Sequence, residues 1–187
     1  MWAAIGITLI SLSFAFPSIR GIVVFANPLS LLLALFLFLR ETPERKKQFH
    51  YHAWSIIDNA AHVKISKARF LALQDLCADG VSLQGLSLDG ADLAGINLKA
   101  ADLSSSLMKE CNLPDAVLDG ADLNHVNLEF ANLSGARLVG ANLGFAKLCN
   151  ANCSSAELSH ANLLFTDLSH ANLSGANRKR PAITPCQ

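Results

Sequence analysis

From residue 83 to residue 173 the chain repeats with a period of five residues. Nineteen positions lie on this register, and seventeen of them are leucine; the exceptions are Met108 and Cys153. The position two residues before each of these centres is alanine in twelve of the nineteen pentads, and the residue directly before a centre is usually Asp or Asn. So regular a repeat over about half of the chain constrains the fold more than any other feature.

A period of five is incompatible with both common regular structures. Five residues turn an α-helix by about 500°, so successive leucines would drift around every face of a helix. In a flat strand the odd repeat length would turn every second pair of apolar residues to the opposite face. A bend in the same direction once in every pentad restores the inward direction. The sequence therefore predicts a solenoid that turns a corner every five residues, with Gly and Ser suited to the corners.

The A(D/N)LXX pentads resemble the pentapeptide-repeat family. The resemblance implies a β-solenoid, a right-handed quadrilateral β-helix of about five coils with four pentads per coil and the centre and minus-two side chains inward. The sequence ALQDLCADGVSLQGLSL at 72–88, together with the apolar N-terminal segments, resembles membrane-anchored members found in cyanobacteria. Few members of the family have assigned activities, so the resemblance implies a fold more than a function.

With four pentads per coil, residues twenty apart stack about 4.8 Å from each other. One column is then a ladder of amides with Asp92 at its head, and the opposite column holds two Asp and two Asn. Cross-coil ion pairs are expected between Arg137 and Glu157 and between Lys147 and Asp167. We interpret these polar columns as structural.

One corner column is aromatic rather than small and polar. His125, Phe145 and Phe165 lie twenty residues apart, and Leu164 adjoins the last of them. Large apolar groups at outward positions are either scattered surface residues or a docking stripe for a protein partner or a second copy. These four residues are the candidate docking site predicted from the sequence.

The first forty residues predict a membrane anchor. Two uncharged runs, about 2–17 and 22–39, surround a short turn that contains Pro17 and Gly21. Each run is slightly short for a span of about 20 residues, so one span is the alternative to a hairpin of two. A secretory signal peptide is disfavoured because no basic residue precedes the first run. A buried helical pair is the third possibility, but the second run has no polar face.

Basic residues follow the second run, at Arg40, Arg45, Lys46 and Lys47. The positive-inside rule then predicts a multi-pass membrane protein whose repeat domain is cytoplasmic, with membrane lipids as partners of residues 1–47.

A helical connector is expected between the anchor and the repeats. Thr42-Pro43-Glu44 is a helix start, and the helix should run to about Asn59. Ser66 is a candidate cap for a second helix, Lys67 to Leu76, which would cover the first coil of the solenoid. The predicted organisation is a transmembrane hairpin at 1–40, a connector and cap at 41–77, a repeat domain at 78–177 and a basic tail at 178–187.

Neither the charges nor the cysteines indicate a chemical site. The five cysteines are odd in number and form no CxxC motif, so unpaired thiols in a reducing compartment are expected. His50 and His52 diverge on a helix, and His160 and His170 fall on opposite faces of the solenoid, so no metal site is predicted. No nucleophile and base pair, phosphate-binding loop or dinucleotide motif is present. We therefore expect no catalytic residue, no cofactor and no small-molecule substrate.

Two functions agree with this pattern. The first is a non-catalytic, membrane-tethered scaffold that binds protein, or itself, at the cytoplasmic membrane face. The alternative is a regulator of a topoisomerase or another nucleic-acid enzyme that mimics DNA, because residues 71–177 hold twelve acids against four Lys and Arg. An enzyme is not expected, and no nucleic acid is expected as a direct partner.

Overall fold

The computed structural model describes residues 46–60, 63–179 and 181. The chain divides into two compact units, Met1–Tyr51 and His52–Gln187, which are described separately. In the first unit the described residues 46–51 are helical, and the ring of Phe49 meets His50 edge to face. In the second unit the helix continues over 52–59, so that α1 comprises 46–59.

The second unit opens with two helices that bury apolar residues against the repeats. Within α1 the buried side chains Ala53 and Ile57 lie four residues apart, on one helix face. Helix α2 is Lys67–Ala78, and its N-cap Ser66 accepts a hydrogen bond from the backbone N–H of Arg69. Its Leu73 and Leu76 belong to the same hydrophobic core as the first leucines of the repeat.

From residue 81 the chain winds into a solenoid whose neighbouring coils are joined by parallel bridges. Every bridge joins residues twenty apart, and each strand is a single bridging residue that, except for Asn177, lies directly before a centre of the repeat. At Asp122 and Leu123 the backbone N–H groups donate to both neighbouring coils, to the carbonyls of Ala101 (2.9 Å) and Asn142 (2.8 Å). The β-solenoid predicted from the period of five is therefore confirmed.

Four columns of bridging residues make the four faces of the solenoid. Face 1 carries Asp92, Asn112, Asn132, Asn152 and Asn172; face 2 carries Asn97, Val117, Arg137, Glu157 and Asn177; face 3 carries Asp102, Asp122, Asn142 and Asn162; face 4 carries Ser87, Leu107, Asn127, Lys147 and Asp167.

Each corner is a four-residue turn that begins at a leucine centre. The N–H of Ala91, for example, donates to the carbonyl of Leu88 (2.9 Å). The third residue of the turn has positive φ, as in a type II turn, which glycine adopts most easily. Glycine occupies seven of these positions, but twelve are occupied by other residues.

Inside the coils, leucine centres and minus-two residues fill the axis. The three polar minus-two residues, Ser106, Cys111 and Thr166, each donate to the carbonyl of a leucine centre in the preceding coil. A small polar side chain at minus two is therefore buried without an unsatisfied donor.

The predicted membrane location is wrong, because the described helices do not support it. In residues 46–60, 63–179 and 181, no helix combines the length and the apolar character needed to cross a bilayer. The two runs of the predicted hairpin, about 2–17 and 22–39, lie outside the described residues, as do most of the residues expected to meet lipid. A multi-pass membrane protein with a cytoplasmic repeat domain is thus not supported.

Candidate interaction surface

The aromatic column predicted from the sequence is a continuous stack of rings. The ring centroids of His125 and Phe145 are 4.9 Å apart with 13° between their planes. Those of Phe145 and Phe165 are 4.8 Å apart with 17° between their planes. The spacing matches the distance between hydrogen-bonded strands, so the coil geometry aligns the three rings.

The stack lies at the solvent boundary. Phe145 is 49% exposed and Phe165 is 60% exposed, and His125 is exposed as well. All three residues have positive φ, between 56° and 59°. This backbone conformation raises the energy of a residue with a Cβ atom by about 1–2 kcal/mol, whereas glycine adopts it without that penalty. Bulky residues at these corners therefore carry a local cost that the stacking and any partner must offset.

Leu164 lies beside the stack rather than in it. The residue is half-buried, and its carbonyl accepts the backbone N–H of Phe145 (2.9 Å). This hydrogen bond and its counterpart from His125 to Gly144 (3.0 Å) tie the corners of successive coils together. The structure thus brings together all four residues of the predicted docking stripe, on a backbone held in place coil by coil.

Two further members of this surface, Leu107 and Phe130, were not predicted from the sequence. Leu107 is a bridging residue of face 4 and is 47% exposed, and Phe130 is 53% exposed at the opposite corner of that face. The described repeat exposes four large hydrophobic side chains, Leu107, Phe130, Phe145 and Phe165, and all of them lie on face 4 or its corners. Stacking the sequence by twenty and comparing neighbouring columns could have found them. Face 4 with its two corner columns is called the apolar face below.

Charged groups are interspersed on the apolar face. Lys147 and Asp167 are stacked bridging residues, and both are exposed. Hydrogen bonds from the side chain and the backbone of Ser169 lower the pKa of Asp167, and Lys147 lowers it further by its charge. The Nζ of Lys109 lies 5.6 Å from the ring centroid of Phe130, within cation–π distance.

The other faces satisfy their polar groups internally. On face 1, each Asn from Asn112 to Asn172 donates its amide to the residue one coil before it, at 2.9–3.2 Å. On face 2, Arg137 pairs with Asp119 (2.7 Å) rather than forming the expected ion pair with Glu157. Glu157 instead accepts hydrogen bonds from Ser159 and Asn177, which lower its pKa.

The cysteines of the described residues are all free thiols. Burial raises the pKa of Cys111 to about 12 and that of Cys153 to about 11, which disfavours the thiolate. Over the described ranges, no group of three or more His, Cys, Asp and Glu side chains could hold a metal ion.

A comparison with protein families matches this chain to the model described as pentapeptide repeats. Eight copies match over residues 79–113, 101–138 and 136–175, which together span 97 of the 187 residues. The match confirms the resemblance stated from the sequence and with it the quadrilateral β-helix, which has one side for each column of bridges. The narrower resemblance to membrane-anchored members is not tested by this match. A search of curated protein sequences found no match.

Solved structures show the same similarity. HetL, a pentapeptide repeat protein involved in heterocyst differentiation regulation in the cyanobacterium Nostoc sp. strain PCC 7120, is 35% identical with a TM-score of 0.50. The alignment covers 52% of this chain and 46% of HetL, so this chain spans less than half of HetL.

Two further structures are more distant. The protein alr5209 from Nostoc PCC 7120 is 26% identical with a TM-score of 0.39, over 64% of this chain and 95% of alr5209. QnrB1, a plasmid-mediated fluoroquinolone resistance protein, is 20% identical with a TM-score of 0.25, over 52% of this chain and 60% of QnrB1. Neither likeness supports an argument about function.

Proposed function

Because this chain belongs to the pentapeptide-repeat family, we propose that it is a non-catalytic scaffold that binds protein through its apolar face. One observation carries the proposal. The four exposed large hydrophobic side chains of the described repeat gather on one face, while the other faces satisfy their polar groups within the rod.

The physical form of this surface suits recognition. Apolar side chains gain free energy by leaving water, so exposed rings are stabilised when a partner covers them. Phe145 and Phe165 are already stacked on each other, and the backbone N–H of Phe145 donates to the carbonyl of Leu164 in the next coil. Binding therefore costs little side-chain entropy, which favours affinity.

The alternative, a DNA-mimicking regulator of a nucleic-acid enzyme, lacks the required charge density. Residues 81–177 contain ten acids and four Lys and Arg, a net charge of −6. Over a rod of nearly five coils, roughly 23 Å, this is about one net charge per 4 Å. Duplex DNA carries one per about 1.7 Å. Several of these acids also serve internal hydrogen bonds, as Asp102 does with Ser82 and Ser104.

The proposal is tested with the full chain carrying Phe145→Ser and Phe165→Ser together. Both positions point away from the axis, so circular dichroism melting should be close to that of the wild type. Co-purification of proteins bound by the wild type should fall, because the variant loses the exposed rings.

The matched control is His160→Ser. His160 occupies the same corner position, with positive φ, on another edge of the rod. This variant should keep every bound protein. Unchanged binding by a normally melting double variant would contradict the proposal, and inhibition of gyrase supercoiling by the wild type would favour the alternative.

A further inference from the structure

The apolar face repeats one pair of residue types in two successive coils, with its charge reversed. Phe145 and Lys147 lie two residues apart in one coil. Phe165 and Asp167 occupy the same positions one coil later. Along the rod, a ring beside a positive charge is therefore followed by a ring beside a negative charge. A surface with this arrangement is complementary to itself after inversion of the rod direction.

Two copies can meet through this face around a two-fold axis. The axis lies in the interface, is perpendicular to the long axes of the rods, and passes midway between the two coils. The rods are then antiparallel, and each coil faces the other coil of the second copy. Phe145 of one copy lies against Phe165 of the second, so four rings form one cluster. Lys147 of one copy faces Asp167 of the second, and the symmetry produces this ion pair twice.

A parallel arrangement is disfavoured by the same charges. A two-fold axis along the rods would place each coil against its own equivalent. Lys147 would then face Lys147, and Asp167 would face Asp167, and like charges in register are repulsive. The charge pattern thus distinguishes the two orientations.

From this geometry we infer that the partner of the apolar face is a second copy of this chain, docked antiparallel through the coils of Phe145 and Phe165. The inference rests on the proposed function, since it names the partner of the same surface. Lys147 forms no ion pair within the described part of the chain, and the carboxylate of Asp167 accepts hydrogen bonds there only from Ser169. Leu107 and Phe130 lie in earlier coils, outside this contact.

A contact of two coils per copy is small, so the dimer should be weak. Sedimentation of the full chain over about 10 to 500 micromolar protein should show a monomer–dimer equilibrium. Lys147→Asp places an acid opposite Asp167 of the second copy, and Asp167→Lys places a lysine opposite Lys147. Each single variant should weaken dimerisation about tenfold or more, because two attractive pairs become repulsive.

Mixing the two single variants is the decisive measurement. The Lys147→Asp chain carries acids at both positions and the Asp167→Lys chain carries lysines at both, so a heterodimer restores every cross-pair. The equimolar mixture should dimerise like the wild type, which no effect within one chain can produce. The control, Leu107→Ser with Phe130→Ser, alters the same face outside the contact and should leave the dimer unchanged.

The outcomes separate this inference from the proposed function. A wild type that stays monomeric, or a mixture no stronger than its components, overturns the antiparallel dimer. If Phe145→Ser with Phe165→Ser still loses co-purifying proteins in that case, the scaffold stands with another partner. If no variant of the apolar face changes any association, both are overturned.

Discussion

Leu123 and His125 lie two residues apart but in opposite surroundings. Leu123 begins a corner and is 1% exposed at the axis, whereas His125, the third residue of the same corner, is exposed. Position within the pentad therefore decides what a substitution costs in this protein. The buried positions tolerate apolar groups and hydrogen-bonded small polar groups, whereas the third corner positions hold Gly, Ala, Ser, Asn, Asp, Glu, His and Phe, all but Gly at the cost of a positive φ.

Leu123→Asp should unfold the rod. The substitution buries a carboxylate with no partner between two coils, which costs several kcal/mol. Circular dichroism melting should show loss of the folded transition. Leu107→Asp is the control, since it makes the same change at an exposed position and should melt nearly as the wild type does. Equal melting of all three proteins would contradict the assigned register.

Cys111 should make the fold sensitive to alkaline pH. Its pKa is about 12 in the folded chain, against an ordinary 9.0, because of burial. A raised pKa contributes stability that is complete below about pH 9 and is lost as pH rises toward 12, at about 1.4 kcal/mol per pH unit.

In urea titrations between pH 8 and pH 10.5, Cys111→Ala should lose less stability than the wild type, since alanine is the common minus-two residue and does not ionise. A parallel decline of both proteins would show that this thiol does not control the alkaline range.

At the scale of elements, α2 and the loop before it replace a missing coil at the N-terminal end. The N–H of Asp92 donates to the carbonyl of Lys64 (2.8 Å), where later coils use the coil before them. Arg69 of α2 is buried and donates to the carbonyls of Ala60 (2.7 Å) and Lys64 (3.0 Å). Burial lowers its pKa, and its Nε has no hydrogen-bond partner. One buried guanidinium thus joins the end of α1 to the loop that covers the first coil.

Arg69→Met should destabilise the fold by about 2–4 kcal/mol. It leaves the two carbonyls without their donor, although the methionine fills part of the space. The free energy of unfolding in urea is the measurement. Lys67→Ala removes an exposed charge from the same helix and should change stability by less than about 0.5 kcal/mol. Equal effects of the two substitutions would show that the buried hydrogen bonds contribute nothing measurable.

The amide ladder of face 1 should be more sensitive in its middle than at its end. Asn132 donates to Asn112 and accepts from Asn152, whereas Asn172 donates to Asn152 and is more exposed. Asn132→Ala should therefore cost about 1–2 kcal/mol and Asn172→Ala less than about 1 kcal/mol. Denaturation midpoints of the two variants give the comparison, and the reverse order would contradict a hydrogen-bonded ladder.

At the scale of the whole repeat unit, each coil is shielded from solvent by whatever is stacked on its two sides, which is a neighbouring coil or, at the N-terminal end, helix α2. Leucine centres up to Leu163 are buried, but Leu168 and Leu173 in the last coil are only partly buried. The N-terminal coil has α2 against it. Stability is therefore expected to be uneven along the rod, because each coil gains from the coils on both sides.

Amide hydrogen exchange should follow this gradient. Peptides from 116–136 should exchange slowest, and peptides from 161–177 should exchange markedly faster, since they open locally without unfolding the rest. Mass spectrometry of the wild-type chain gives both rates in one experiment. Equal protection of the two regions would indicate that the last coil is covered as well as the middle ones.

The period of five was sufficient to predict a solenoid and its inward residues, because only a bend in the same direction in every pentad keeps every centre at the axis. The aromatic column also required the four pentads per coil that the resemblance to the pentapeptide-repeat family implies. Other features depended on tertiary structure. Leu107 and Phe130 join the surface because face 4 lies between two corner columns. Arg137 pairs with Asp119 because this corner side chain lies closer to it than Glu157, its bridging neighbour. Membrane spans predicted from apolar runs alone were not supported by the described helices. Composition and period determine which residues turn inward, whereas contacts between different columns arise only when the coils are stacked in three dimensions.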